Sequence, residues 1–236
     1  MSKAYFSFKQ FTLCQSQCGM KVGTDGTLLG AWASGGEHIL DVGTGTGLVA
    51  LMMAQRYPGS RVTAIDIDPL AVSQARQNVA ASPFADRVEV LLSDVRHHGL
   101  HAPVPYDAIV ANPPYFEQSL TSPDAQRTMA RHTATLSYRE LAAAAWRLLT
   151  DGGVFSVVIP QECRSRMMGE ALLAGFSLVG ECGVKTTPRK PVRRCLLAFA
   201  KHPAQAVQRS EEVLQLADGS RSKWYDSLTR DFYLEK

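Results

Sequence analysis

The stretch HILDVGTGTG, His38–Gly47, decides how this chain is read. It opens as a short apolar run of the kind that forms a buried strand. It closes on Asp41 and Gly43, with further glycines at Gly45 and Gly47. Glycine lets a backbone turn sharply and lie close to a ligand. The segment therefore predicts a strand, a tight loop, and a helix over Leu48–Tyr57 ended by Pro58 and Gly59. The same alternation recurs downstream. RVTAIDID (61–68) is a second strand, and Asp68 with Pro69 caps the next helix, PLAVSQARQNVAA (69–81). RVEVLLSD (87–94) is a third strand, YDAIVANPPYF (106–116) a fourth and GVFSVVIP (153–160) a fifth. Between the last two, Leu141, Ala145, Leu148 and Leu149 recur at helical spacing, with Gly152 and Gly153 expected to end that helix. FSLVGECGV (176–184) and RRCLLAFAK (193–201) add two more strands. Strand and helix in alternation predict an α/β fold built on a parallel sheet with right-handed crossovers.

In such a sheet ligands collect beyond the carboxyl ends of the strands. Asp41 with Gly43, Asp66, Asp94 and Asn112 each close an apolar strand with a polar residue, which marks that end as a binding site. No Lys follows Gly47, so a phosphate loop of the Gly-Lys-Ser/Thr type is excluded. The glycine spacing also differs from the dinucleotide pattern. Asp66 suits a ribose diol and Asp94 an exocyclic adenine amine, so the residues support an adenosine-bearing cofactor. By themselves they do not separate S-adenosylmethionine from a nicotinamide dinucleotide.

DVGTGTG, AIDID and the Ser93-Asp94 pair resemble the successive cofactor motifs of the class I S-adenosylmethionine-dependent methyltransferases, and NPPY (112–115) resembles the fourth motif of the amino-methyltransferases among them. The resemblance implies a Rossmann-like, mostly parallel seven-stranded sheet with helices on both faces, its last strand antiparallel. It also implies that Gly43, Gly45 and Gly47 line the methionine half of the cofactor, Asp66 with Ile67 the ribose side, and Asp94 with Val95 the adenine. MKVGTDGTLLGAWA (20–33) is expected to fold over the cofactor, with Lys21, Thr24, Asp25 and Gly26 as candidate contacts and Thr24-Asp25 as the helix cap.

NPPY carries the chemistry. An adenine amine is a poor nucleophile because its lone pair is conjugated into the ring. The Asn112 side-chain oxygen and the Pro113 carbonyl suit its two hydrogens, Pro113 and Pro114 hold them rigidly, and Tyr115 offers a stacking face. Adenine N6, cytosine N4, guanine N2 and a glutamine amide all present such a planar amine, and protein-glutamine methylation is the chief rival. With ARHT (130–133) and RDFYL (230–234), the N-terminal segment resembles the bacterial tRNA(Val) adenine-N6 methyltransferases. That resemblance implies a tRNA partner and the adenine just 3′ of the anticodon as the target. Arg127, Arg131 and His132 follow the catalytic motif. Lys185, Arg189, Lys190, Arg193 and Arg194 lie in KTTPRKPVRR (185–194) with no acid among them, as phosphate contacts require. A non-catalytic RNA-binding protein is a second rival, opposed by the intact NPPY.

Size and composition agree. The chain has 236 residues, 45% hydrophobic and 20% charged, with a net charge of +3, so any RNA contact must come from a local patch. We expect one domain over 1–236, with a cofactor-covering segment at 1–36, a catalytic core at 37–201 and a C-terminal extension at 202–236. We also expect a monomer in the cytoplasm without metal or membrane attachment. Five scattered cysteines argue against a disulfide framework, and Cys14 with Cys18 has no second pair to complete a zinc site. His97, His98 and His101 read as a solvated loop.

Overall fold

The computed structural model describes residues 5–15, 22–100, 105–113 and 136–234. Two short strands, β1 (Tyr5–Ser7) and β2 (Thr12–Cys14), form an antiparallel hairpin ahead of helix α1 (Thr24–Trp32). The alternating core follows as β3 (His38–Val42), α2 (Leu48–Arg56), β4 (Arg61–Asp66), α3 (Pro69–Ala80), β5 (Val88–Leu92) and β6 (Tyr106–Ala111). The chain then forms α4 (Tyr138–Leu148), β7 (Leu149–Pro160), α5 (Arg164–Leu173), β8 (Ser177–Lys185), β9 (Val192–Ala200), β10 (Gln208–Val213) and α6 (Lys223–Thr229).

The main sheet runs in the order β10-β8-β9-β7-β6-β3-β4-β5. Only β9 runs against its neighbours, pairing antiparallel with β7 and β8. This is the expected sheet with one addition. The sequence predicts seven strands; β10 pairs parallel with β8 and makes an eighth at the edge. Its residues QRSEEV are mostly exposed, so no apolar alternation announces it.

One face of the sheet packs against α1, α2 and α3 around Leu28, Leu29, Leu51, Met52 and Val79; the other packs against α4 and α5 around Leu141, Phe155, Met167 and Phe199. Burial of these side chains drives assembly, at about 25 cal/mol for each Å² of apolar surface removed from water. Helices α1 and α2 approach closely at Gly30, where an added Cβ would stand 2.8 Å from the Met52 Cβ. The two termini meet on the first face. Phe8 stacks on Tyr233 at 5.7 Å, the Lys9 N–H donates to the Phe232 carbonyl, and Tyr225 and Phe232 are buried, so the C-terminal aromatics act in packing.

Three local expectations change. The α1 N-cap is Gly23, and no side chain caps the helix, because Thr24 and Asp25 already lie in its first turn. Helix α4 gives way to β7 directly at Leu149, so Gly152 and Gly153 sit within the strand rather than ending the helix. His98 is half-buried, with its ring nitrogens within hydrogen-bond reach of Ser93 Oγ (3.2 Å) and the Tyr106 hydroxyl (2.9 Å), rather than solvated; His101 lies outside the described residues. The cap on α3 is as expected: Asp68 accepts from the Leu70 N–H at 2.9 Å, with Pro69 opening the helix.

Candidate active site

The loop after β3 is shaped by its glycines. Gly43, Gly45 and Gly47 all take positive φ, at 73°, 57° and 85°. Side chains disfavour that conformation by about 1–2 kcal/mol per residue. The Gly43 and Thr44 N–H groups donate to the Ile65 carbonyl at 2.9 and 3.0 Å, which ties the loop to the end of β4. A Cβ on Gly43 would meet no atom within 4 Å, so the loop leaves open space there. Beneath it Asp41 is buried; its Oδ2 accepts from Thr44 Oγ1 at 2.6 Å and from the Ala50 N–H at 3.1 Å. Burial pushes the Asp41 carboxyl up to about 7, against those two hydrogen bonds and with a smaller rise from the Asp66 charge. Asp41 thus joins the strand, its loop and the first turns of α2.

Asp66 ends β4. Its Oδ2 accepts from the Gly45 N–H at 2.9 Å and its Oδ1 from the Asp68 N–H at 3.0 Å. The side chain is partly exposed, and the following Ile67 is 51% exposed, an apolar surface beside the carboxylate. The Ser93 N–H donates to the Asp66 carbonyl at 3.0 Å, which brings the segment after β5 to the same end of the sheet. Asp94 follows two residues beyond β5, and Val95 is buried behind it. Arg96 Nε donates to both Asp94 oxygens at 3.0 and 2.9 Å, which holds that carboxyl below its usual range. Arg96 also reaches Glu140 Oε1 at 3.3 Å. Glu140 belongs to a capping box with Ser137 at the start of α4, so the Asp94 carboxylate is linked through Arg96 to the N-terminus of that helix. The sequence reading missed Arg96; its only signal is the guanidinium two residues after a strand-ending Asp.

Asn112 and Pro113 lie just past β6, one step beyond the register pair Val42↔Ala111. That places Asn112 alongside Gly43, at the mouth of the glycine loop. Pro114, Tyr115, Arg127, Arg131 and His132 lie outside the described residues, as does Lys21. Thr24 is exposed, Asp25 half-buried and Gly26 buried against Leu48, where a Cβ would stand 3.0 Å from Cδ2.

The basic stretch divides. Lys185 pairs with Glu211 of β10, and Arg194 Nε donates to Asp25 Oδ2 at 2.7 Å. Acids absent from the local sequence reach these two from other elements. Arg189, Lys190 and Arg193 remain exposed and make no ion pair among the described residues. Their hairpin emerges at the carboxyl end of β8, the same end of the sheet as the glycine loop, because β8 runs parallel to β7 and β3. Among the described residues no group of three or more His, Cys, Asp or Glu could hold a metal, and no helix is long and apolar enough to cross a membrane.

The sheet order, the glycine loop and the acid ending β4 define a class I S-adenosylmethionine-dependent methyltransferase. The open cradle beside Gly43 and the Asp66 carboxylate next to it fit the methionine and ribose parts of that cofactor. The chain belongs to the methyltransferase small domain family, whose model matches residues 27–181, and within it to the tRNA1(Val) (adenine(37)-N6)-methyltransferases. It is 47% identical over 236 residues to the protein of that name from Phocaeicola vulgatus, with 99% of each chain covered. It is 44% identical to the one from Bacteroides thetaiotaomicron, again over 99% of each. A predicted O-methyltransferase from Agrobacterium tumefaciens shares the fold at a TM-score of 0.68 and 18% identity, over 88% of this chain and 96% of that one.

Proposed function

We propose that this protein methylates N6 of the adenine 3′ of the anticodon in tRNA(Val), position 37 in the names of its relatives, using S-adenosylmethionine. The observation that carries the chemistry is the register of β3 and β6, which sets Asn112-Pro113 beside the glycine loop. When bound, S-adenosylmethionine supplies a methyl group on an electrophilic sulfonium. The chain holds the amine against it. The Asn112 side-chain oxygen and the Pro113 carbonyl accept the two amine hydrogens and draw the nitrogen lone pair out of conjugation, and Tyr115 stacks on the base. Proline fixes φ and removes an N–H, so the acceptors need little reorganisation as the reaction proceeds. Most of the rate gain then comes from positioning. The base must leave its stack to enter.

Arg189, Lys190 and Arg193 contact tRNA phosphates in this reading, as do Arg127, Arg131 and His132. Asn112→Ala tests the assignment: methyl transfer into tRNA falls by at least about 100-fold, as for loss of a positioned oxyanion-type contact. S-adenosylhomocysteine binding stays as in wild type. Transfer at the wild-type rate would refute the role given to Asn112.

A further inference from the structure

Helix α3 touches the glycine loop at two points one turn apart. Ala75 packs against Gly47, where an added Cβ would stand 3.6 Å from the Ala75 Cβ. One turn on, Asn78 is 3% exposed, and its amide is used on both sides. Its Nδ2 donates to the Thr46 carbonyl at 2.8 Å and to the Cys14 carbonyl at 2.9 Å, while its Oδ1 accepts from the Cys14 N–H at 2.8 Å. One buried side chain therefore joins the last turn of the glycine loop to the end of β2. A buried amide with both ends satisfied fixes geometry strictly, since any shift leaves polar groups unpaired. The hairpin it grips is itself anchored, through Phe8 on Tyr233 and Lys9 on the Phe232 carbonyl.

We propose that Asn78 is a positioning residue for the cofactor: it holds Thr46 and Gly47 in their binding conformation by bracing them against the N-terminal hairpin. The proposal rests on the S-adenosylmethionine reading and goes beyond it, because nothing in the cofactor motifs points to a residue on α3. Thr46 presents its backbone carbonyl to Asn78, so the loop end of this contact needs no particular side chain, whereas the helix end needs a group that both donates and accepts.

The test uses the full-length protein and two variants, Asn78→Ala and Asn78→Asp. The aspartate keeps the shape and the acceptor for the Cys14 N–H but turns an oxygen toward the Thr46 carbonyl. Calorimetry with S-adenosylhomocysteine gives Kd, and methyl transfer into tRNA gives kcat and KM for S-adenosylmethionine. We expect Kd and KM to rise about tenfold while kcat changes by less than about threefold and the KM for tRNA is unchanged. If Asn78→Ala does not fold, Asn78→Asp alone decides. A Kd within about twofold of wild type would overturn the proposal even if Tm falls, since the residue would then be merely structural. A fall in kcat larger than the rise in KM would overturn it as well. Wild-type protein that failed to bind S-adenosylhomocysteine would instead remove the methyltransferase reading, and the proposal with it.

Discussion

Replacing Asp41 with Asn keeps the shape of the side chain beneath the glycine loop and removes its charge. Burial pushes this carboxyl up to about 7 in the folded chain, from an ordinary 3.8. A group that binds its proton more tightly when folded contributes most at low pH, and that contribution is lost as pH rises through the window between the two values. Each tenfold change in proton affinity is worth about 1.36 kcal/mol, so from about pH 5 to about pH 8 the wild type loses about 3 kcal/mol through Asp41. Asparagine lacks that titration. Its amide oxygen still accepts from Thr44 and the Ala50 N–H, as the protonated acid does. All other titrating groups are shared by the two proteins and, apart from the small coupling to Asp66, cancel in the difference. Urea unfolding at the two pH values measures it. Asp41→Asn should gain about 3 kcal/mol on the wild type between the acid and the alkaline condition. A stability difference independent of pH would refute the account of Asp41 as a desolvated carboxyl.

Other perturbations have equally direct readouts. Gly47→Ala meets only an ordinary contact with Ala75, so its cost is the strain of an alanine at φ 85°, about 1–2 kcal/mol in thermal or urea unfolding, with weaker S-adenosylhomocysteine binding alongside. A fully stable variant would show that the loop relaxes out of the left-handed region. Replacing Arg189, Lys190 and Arg193 together with Ala should weaken tRNA binding and flatten its salt dependence, lowering the log–log slope by about 2–3, while cofactor affinity is unchanged. An unaltered slope would remove this hairpin from the RNA contact.

Much of the site is written in local sequence because strand ends are local. Polar residues stand at or near the ends of the buried strands, with Asp41 itself still buried and Asp66, Asp94 and Asn112 following, so apolar runs closing on polar residues reveal the row. The parallel order of the strands then brings them to one end of the sheet. What local sequence conceals is pairing across distance. KTTPRKPVRR contains no acid, yet Lys185 meets Glu211 and Arg194 meets Asp25, from segments the basic run does not advertise. Strand β10 is polar up to its last residue, Val213, and its place follows from an open edge on β8. Asn78 reads as a surface residue until it is seen to continue the buried stripe of Ala71 and Ala75 at helical spacing, the one signal that could have exposed it.

The central claim is that the methyl group goes to an adenine amine in tRNA. Purified protein and labelled S-adenosylmethionine, offered total unmodified tRNA and a protein extract side by side, test it most directly. The account predicts label in tRNA, recovered as N6-methyladenosine, and almost none in protein. Label confined to glutamine side chains of the extract would contradict it.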